Sequence, residues 1–135
     1  SRDYVPDILT AIRSRTERPD CVGIEGRALR HGKKWITFEH SIQHDAYHYD
    51  KAAGLITRPP NHLNPIRRDI VARGMPDEMP FPKKDIGEDS EFSRRLRVAS
   101  ALKTEVLVDE PIYFYIPGGS WRGKAKAGST KRNER

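Results

Sequence analysis

Apolar residues recur at helical spacing in two parts of the chain. In residues 3–17 they fall at positions i, i+3, i+4 and i+7, which predicts an amphipathic helix. Its stripe consists of Val5, Ile8, Leu9 and Ile12. Residues 90–105 predict a second helix, because acidic residues stand at its start and an apolar stripe follows. That stripe consists of Phe92, Leu96, Ala99 and Leu102.

A strand pattern follows the first helix. Residues 21–29 and 35–38 are rich in β-branched and aromatic residues, and they flank a polar turn that contains Gly32. Glycine can adopt the positive φ that a tight hairpin turn requires. The pattern therefore predicts a β-hairpin with three basic residues at its tip, Arg30, Lys33 and Lys34.

A second strand pattern lies near the C-terminus. Residues 106–108 and 112–116 predict a strand pair, and the flanking Pro111 and Pro117 favour a sheet edge for the second strand. Residues 118–135 follow with six basic residues, one acid and few apolar groups, which predicts a tail without a core of its own.

Proline interrupts the middle of the chain. Six of the ten prolines fall in residues 57–89, where the pattern allows only a short helix over 65–73. We expect an α+β fold: a small antiparallel sheet or hairpin with two helices, irregular arms and a basic tail. The predicted divisions are a helix and hairpin body (1–56), an extended proline-rich arm (57–89), a helix and strand that complete the body (90–117), and the tail (118–135).

The charge of the protein is concentrated in the tail. The chain of 135 residues has a net charge of +6, and residues 118–135 carry +5 of it, with six basic residues against one acid. Basic residues beside an exposed indole are typical of RNA binding, since the ring stacks on an unpaired base while the cations meet phosphates. The predicted RNA-binding residues are those at the hairpin tip together with Trp121, Arg122, Lys124, Lys126, Lys131 and Arg132.

A histidine-rich segment offers an alternative. His40, His44 and His48 are spaced by four, so on a continuous helix they would lie on one face and could bind a metal ion. Asp45 or Asp50 would then serve as a ligand or general base of a small hydrolase or nuclease. Polar or RNA-facing residues after a strand are the simpler interpretation.

Other kinds of site have little support in the sequence. Cys21 is the only cysteine, which excludes an intrachain disulfide and favours a buried apolar role. No nucleotide-binding fingerprint is present, and we expect no cofactor, small-molecule substrate, catalytic residue or membrane contact. The chain begins at Ser1 rather than Met, which fits removal of an organelle transit peptide as well as a trimmed end.

Four short motifs stand out along the chain: residues 32–40 (GKKWITFEH), 49–51 (YDK), 55–59 (LITRP) and 115–119 (YIPGG) before the basic end. They resemble motifs of accessory proteins of mitochondrial ribosomes, in particular the family of mitochondrial large-subunit ribosomal protein forty-two. The resemblance covers about a third of the chain. It implies a structural constituent of the ribosome in the mitochondrial matrix that contacts ribosomal RNA and neighbouring ribosomal proteins without catalysis. A protein-only interaction subunit of another organelle complex is the remaining alternative.

Overall fold

The structure, a computed structural model, describes residues 3–30, 33–75, 87–108 and 110–116. Within these ranges it contains three helices and a mixed six-stranded sheet, which confirms the predicted α+β class. The helices are α1 (Tyr4–Arg13), α2 (Arg68–Gly74) and α3 (Glu88–Val98). The strands are β1 (Cys21–Arg30), β2 (Lys34–His40), β3 (His48–Asp50), β4 (Leu55–Arg58), β5 (Glu105–Leu107) and β6 (Tyr113–Tyr115).

The long strand β1 is the centre of the sheet. It forms the predicted hairpin with β2, in antiparallel register from Ile24 opposite His40 to Arg30 opposite Lys34. The strand order is β3-β4-β2-β1-β5, and β6 pairs with β1 beyond β5 along the same edge. Because side chains alternate along a strand, the sheet has an inner face that carries Ile24 and Phe38 and an outer face that carries Trp35.

The sheet is mixed rather than antiparallel, which corrects one detail of the predicted fold. β5 and β6 do not pair with each other; both run parallel to β1. Two residues between them also bind β1: the Val108 N–H donates to the Gly23 carbonyl at 3.2 Å, and the Ile112 N–H donates to the Glu25 carbonyl at 3.0 Å. β5 and β6 therefore act as one interrupted edge strand, and the predicted edge position of β6 is confirmed.

The apolar core lies on the inner face under α1. Ile8 packs there against Val22, Ile24, Val106 and Ile112. The predicted stripe of α1 is partly wrong, because Val5 and Leu9 are exposed and Tyr4 and Ala11 take their places against the core. The helix ends at Arg13, before the predicted residue 17.

The proline-rich segment packs on the body where the structure describes it, which differs from the predicted extended arm. Residues 55–58 form β4, and the turn that follows buries the side chains of Asn61 and Asn64. The N–H of Val22 then bonds to the Pro65 carbonyl at 2.9 Å. Hydrogen bonds between these polar turn residues and the sheet hold the segment in place. The prolines here therefore mark tight turns.

Helix α3 packs against α2 around a second small core of Met75, Phe92 and Leu96. It ends at Val98, seven residues before the predicted end. The reason is a left-handed turn at Ser100, which has a φ of 46°. The N–H of Ala101 bonds back to the Leu96 carbonyl at 3.0 Å, the hydrogen bond that closes a Schellman motif.

None of the helices within the described residues is long and apolar enough to cross a membrane.

Candidate nucleic-acid interface

The tip of the β1–β2 hairpin carries three of the nine predicted RNA-binding residues. Arg30, Lys33 and Lys34 are exposed there. Arg30 and Lys34 are opposite each other in the strand register, so their side chains lie on one face of the sheet. Opposed like charges repel, but the guanidinium of Arg30 also lies over the ring of Tyr49, 4.5 Å from its centroid. The tip therefore presents several cations, one of them held by an aromatic ring.

The other six predicted RNA-binding residues lie outside the described residues. They are Trp121, Arg122, Lys124, Lys126, Lys131 and Arg132. Their role stays a prediction from the sequence.

The outer face of the sheet carries an exposed aromatic pair. Trp35 of β2 and Phe114 of β6 meet edge to face, with ring centroids 6.3 Å apart. Their exposed fractions are 45% and 49%. These rings stand on the strands that flank β1, near the hairpin tip.

The inner face of the sheet forms an aromatic groove at the same end. This inner groove has a volume of about 300 Å³. Its floor is formed by Ala28, Phe38 and Ile56, and tyrosines rise at its sides. Those tyrosines are Tyr47, Tyr113 and Tyr115. Tyr113 also meets Phe38 edge to face, with centroids 6.1 Å apart.

One end of the inner groove is polar. Arg58, His62 and Asp89 line it. Nδ1 of His62 lies 3.6 Å from Oδ2 of Asp89. The Nε atom of Arg58 is buried and has no hydrogen-bond partner in the part of the chain that the structure describes. An unbonded buried N–H is costly, so this atom marks a place where a ligand acceptor would be stabilising.

The three candidate metal-binding histidines do not share a face. His40 ends β2, His44 follows in a turn, and His48 begins β3, so the helix that would align them is not formed. Nε2 of His44 instead lies 2.7 Å from Oε1 of Glu39. In the described part of the chain, no three histidine, cysteine or acidic side chains come together as a metal site.

His40 belongs to the buried core. Nδ1 of His40 lies 3.1 Å from Oδ1 of Asn64. Burial lowers the pKa of His40 to about 4, and the nearby positive charge of Arg58 acts in the same direction. The imidazole is therefore neutral at physiological pH and serves the fold.

Other candidate groups also have structural partners. On α3, Glu91 binds Arg94 at 2.6 Å and Arg95 at 3.1 Å, so an acid-paired helix face explains these arginines. Cys21 is buried, and burial raises the pKa of its thiol, as expected for an apolar role rather than a nucleophile.

The inner groove is not predicted from the sequence. Alternation along residues 113–115 already places Tyr113 and Tyr115 on one side of a strand and Phe114 on the other. No local signal indicates that this strand lies beside β1, or that β4 brings Arg58 to the same face. The groove forms only because strands distant in the sequence pair with each other.

Neither the protein families nor the curated proteins and solved structures that were compared with this chain gave a match.

Proposed function

We propose that this protein is a structural RNA-binding component of a large ribonucleoprotein. The observation that carries the proposal is the division of charge. Residues 118–135 hold +5 of the net charge of +6, which leaves the first 117 residues almost neutral. Such a tail neutralises phosphates without needing a folded surface, while the body supplies a fixed anchor.

The direction of β6 supports this proposal. β6 runs parallel to β1, and β1 runs toward the hairpin tip. At its described end, β6 therefore points toward the end of the sheet that carries Arg30, Lys33 and Lys34. The basic tail follows directly in the sequence, so the two sets of cations can serve one stretch of RNA.

Within this class, we propose the large subunit of a mitochondrial ribosome, where the protein contacts ribosomal RNA and neighbouring ribosomal proteins. The support is the resemblance of four short motifs to ribosomal protein forty-two of that subunit. A small body that anchors a basic arm also suits an assembly in which RNA and protein surfaces alternate.

The salt dependence of RNA binding by the full chain tests the proposal. About five tail contacts to phosphate contribute roughly −4 to the log-log slope for single-stranded RNA. Glutamine at five tail positions should therefore flatten the slope by about that amount, which leaves only the contribution of the hairpin tip, and weaken binding at low salt. Those positions are Arg122, Lys124, Lys126, Lys131 and Arg132.

A control variant removes the same number of charges from exposed body positions away from the hairpin. It changes Arg13, Arg15, Arg18, Arg68 and Arg97 to glutamine. We expect its slope to stay close to that of the unchanged chain. Equal flattening in both variants, or no measurable RNA binding by the full chain, would contradict the proposal and favour a protein-only interaction role.

A further inference from the structure

The inner groove places exposed aromatic rings beside an apolar floor. Tyr47 and Tyr115 stand at its sides with exposed fractions of 59% and 53%. Between them lies the apolar floor of Phe38 and Ile56. Large aromatic side chains on either side of an apolar floor suit a flat, aromatic ligand, which can stack on one ring while its faces leave water.

The polar end of the groove limits what that ligand can be. Arg58 offers a buried Nε–H that has no acceptor among the described residues, and Asp89 offers a carboxylate close enough to interact with its charge. A phosphate would be attracted by the guanidinium but repelled by the carboxylate. The edge of a nucleobase, in contrast, carries carbonyl oxygens and N–H groups side by side, and it can therefore bind to both residues.

The other end of the groove opens toward positive charge. Ile56 on the floor pairs with Tyr49 of the neighbouring strand, and Tyr49 lies under the guanidinium of Arg30. Ala28 lines the groove two residues before Arg30 on the same face of β1. A base in the groove would thus have its backbone directed toward the hairpin tip, where cations can meet the adjacent phosphates.

We propose that the inner groove binds one unpaired nucleobase of the RNA, stacked against Tyr47 or Tyr115 with its polar edge on Arg58 and Asp89. This inference rests on the proposed function and adds a base-binding site on the folded body to the phosphate contacts of the tail. The size of the groove agrees with a single nucleotide unit, since about 300 Å³ is at the lower end of the range for small-ligand pockets.

The test measures binding of an eight-nucleotide single-stranded RNA to the full chain and to alanine variants. Tyr47→Ala and Tyr115→Ala each remove an exposed ring from the groove, so neither should impair folding. Loss of a base–aromatic stack predicts roughly 5- to 100-fold weaker binding with an unchanged salt slope. Phe114→Ala is the matched control, because it removes a similarly exposed ring from the opposite face of the same strand.

A second readout locates the base directly. RNA that contains 4-thiouridine should cross-link on irradiation to peptides with Tyr47 or Tyr115, and Arg58→Gln should reduce this cross-linking while tail cross-links persist. Should a steep, tail-dependent salt slope remain while both tyrosine variants bind normally, the groove inference is wrong and the proposed function stands. Cross-links confined to the tail, or a larger loss for Phe114→Ala, would also overturn the inference. Absence of RNA binding by the full chain would instead contradict the proposed function itself.

Discussion

Asn64 connects three parts of the chain through one side-chain amide. Nδ2 of Asn64 donates to the carbonyls of Val22 at 3.0 Å and His40 at 3.4 Å. Oδ1 accepts from the N–H of Asn61 at 3.0 Å and lies 3.1 Å from Nδ1 of His40. Because Oδ1 can only accept, Nδ1 of His40 must carry the hydrogen. The tautomer of a buried histidine is thus fixed by the turn that follows β4.

The burial of neutral His40 makes stability depend on pH. The pKa of His40 falls from 6.5 to about 4 on folding, so below pH 6.5 the unfolded chain binds a proton that the folded chain does not. The resulting stabilisation is complete above pH 6.5 and decreases as the pH falls toward 4. We predict a loss of about 2 kcal/mol in the free energy of unfolding between pH 7.5 and 5, measured by urea denaturation.

The same measurement on two histidine variants tests whether His40 causes this pH dependence. His40→Gln should lower stability at pH 7.5 and flatten the profile between pH 7.5 and 5, because no buried imidazole is left to protonate. His48→Gln changes an exposed histidine and should keep the slope. A slope that survives His40→Gln would show that another group controls the acid sensitivity.

At the level of elements, the sequence predicts what depends on local pattern. The positions of α1, α3 and the β1–β2 hairpin follow from apolar spacing and from a glycine-containing turn. The parallel partners of β4, β5 and β6 do not, because pairing between distant segments leaves no trace in local spacing. The end of α3 was also unpredictable, since the left-handed position that ends it holds Ser100 rather than glycine.

A substitution at Ser100 therefore tests the explanation of how α3 ends. A residue with a Cβ at a φ of 46° is strained by roughly 1 kcal/mol, and glycine relieves this strain. We predict that Ser100→Gly raises the free energy of unfolding by about 0.5–1 kcal/mol, measured by urea denaturation at pH 7.5. Ser14→Gly is the control, because Ser14 follows α1 with an ordinary φ of −69°, and glycine there should give no stabilisation. Destabilisation by Ser100→Gly would contradict the account of how α3 ends.

Local sequence pattern likewise predicts only part of the candidate site. The basic hairpin tip was predictable because its residues are neighbours in sequence, and the structure places Arg30, Lys33 and Lys34 there. The predicted alignment of His40, His44 and His48 required a helix. His40 and His48 lie in strands instead, which pair with β1 and β4 respectively. The groove needed residues from six separate segments of the chain, which only the assembled fold brings together.

At the scale of the whole molecule, a nearly neutral body carries a basic tail. The body fixes the orientation of the hairpin tip and the inner groove, and the tail supplies most of the net charge. Phosphate contacts give affinity with little sequence dependence, whereas an unpaired base in a groove can fix register. The two parts should therefore affect RNA binding in different ways.

The most direct test of the central claim is ultraviolet cross-linking of the tagged full-length chain in its native cells, followed by sequencing of the attached RNA. We predict one dominant set of cross-links to large-subunit mitochondrial ribosomal RNA, and sedimentation of the protein with that subunit. Glutamine at the five tail positions should greatly reduce these cross-links. Recovery of the protein in a stable complex that yields no cross-linked RNA would contradict the claim.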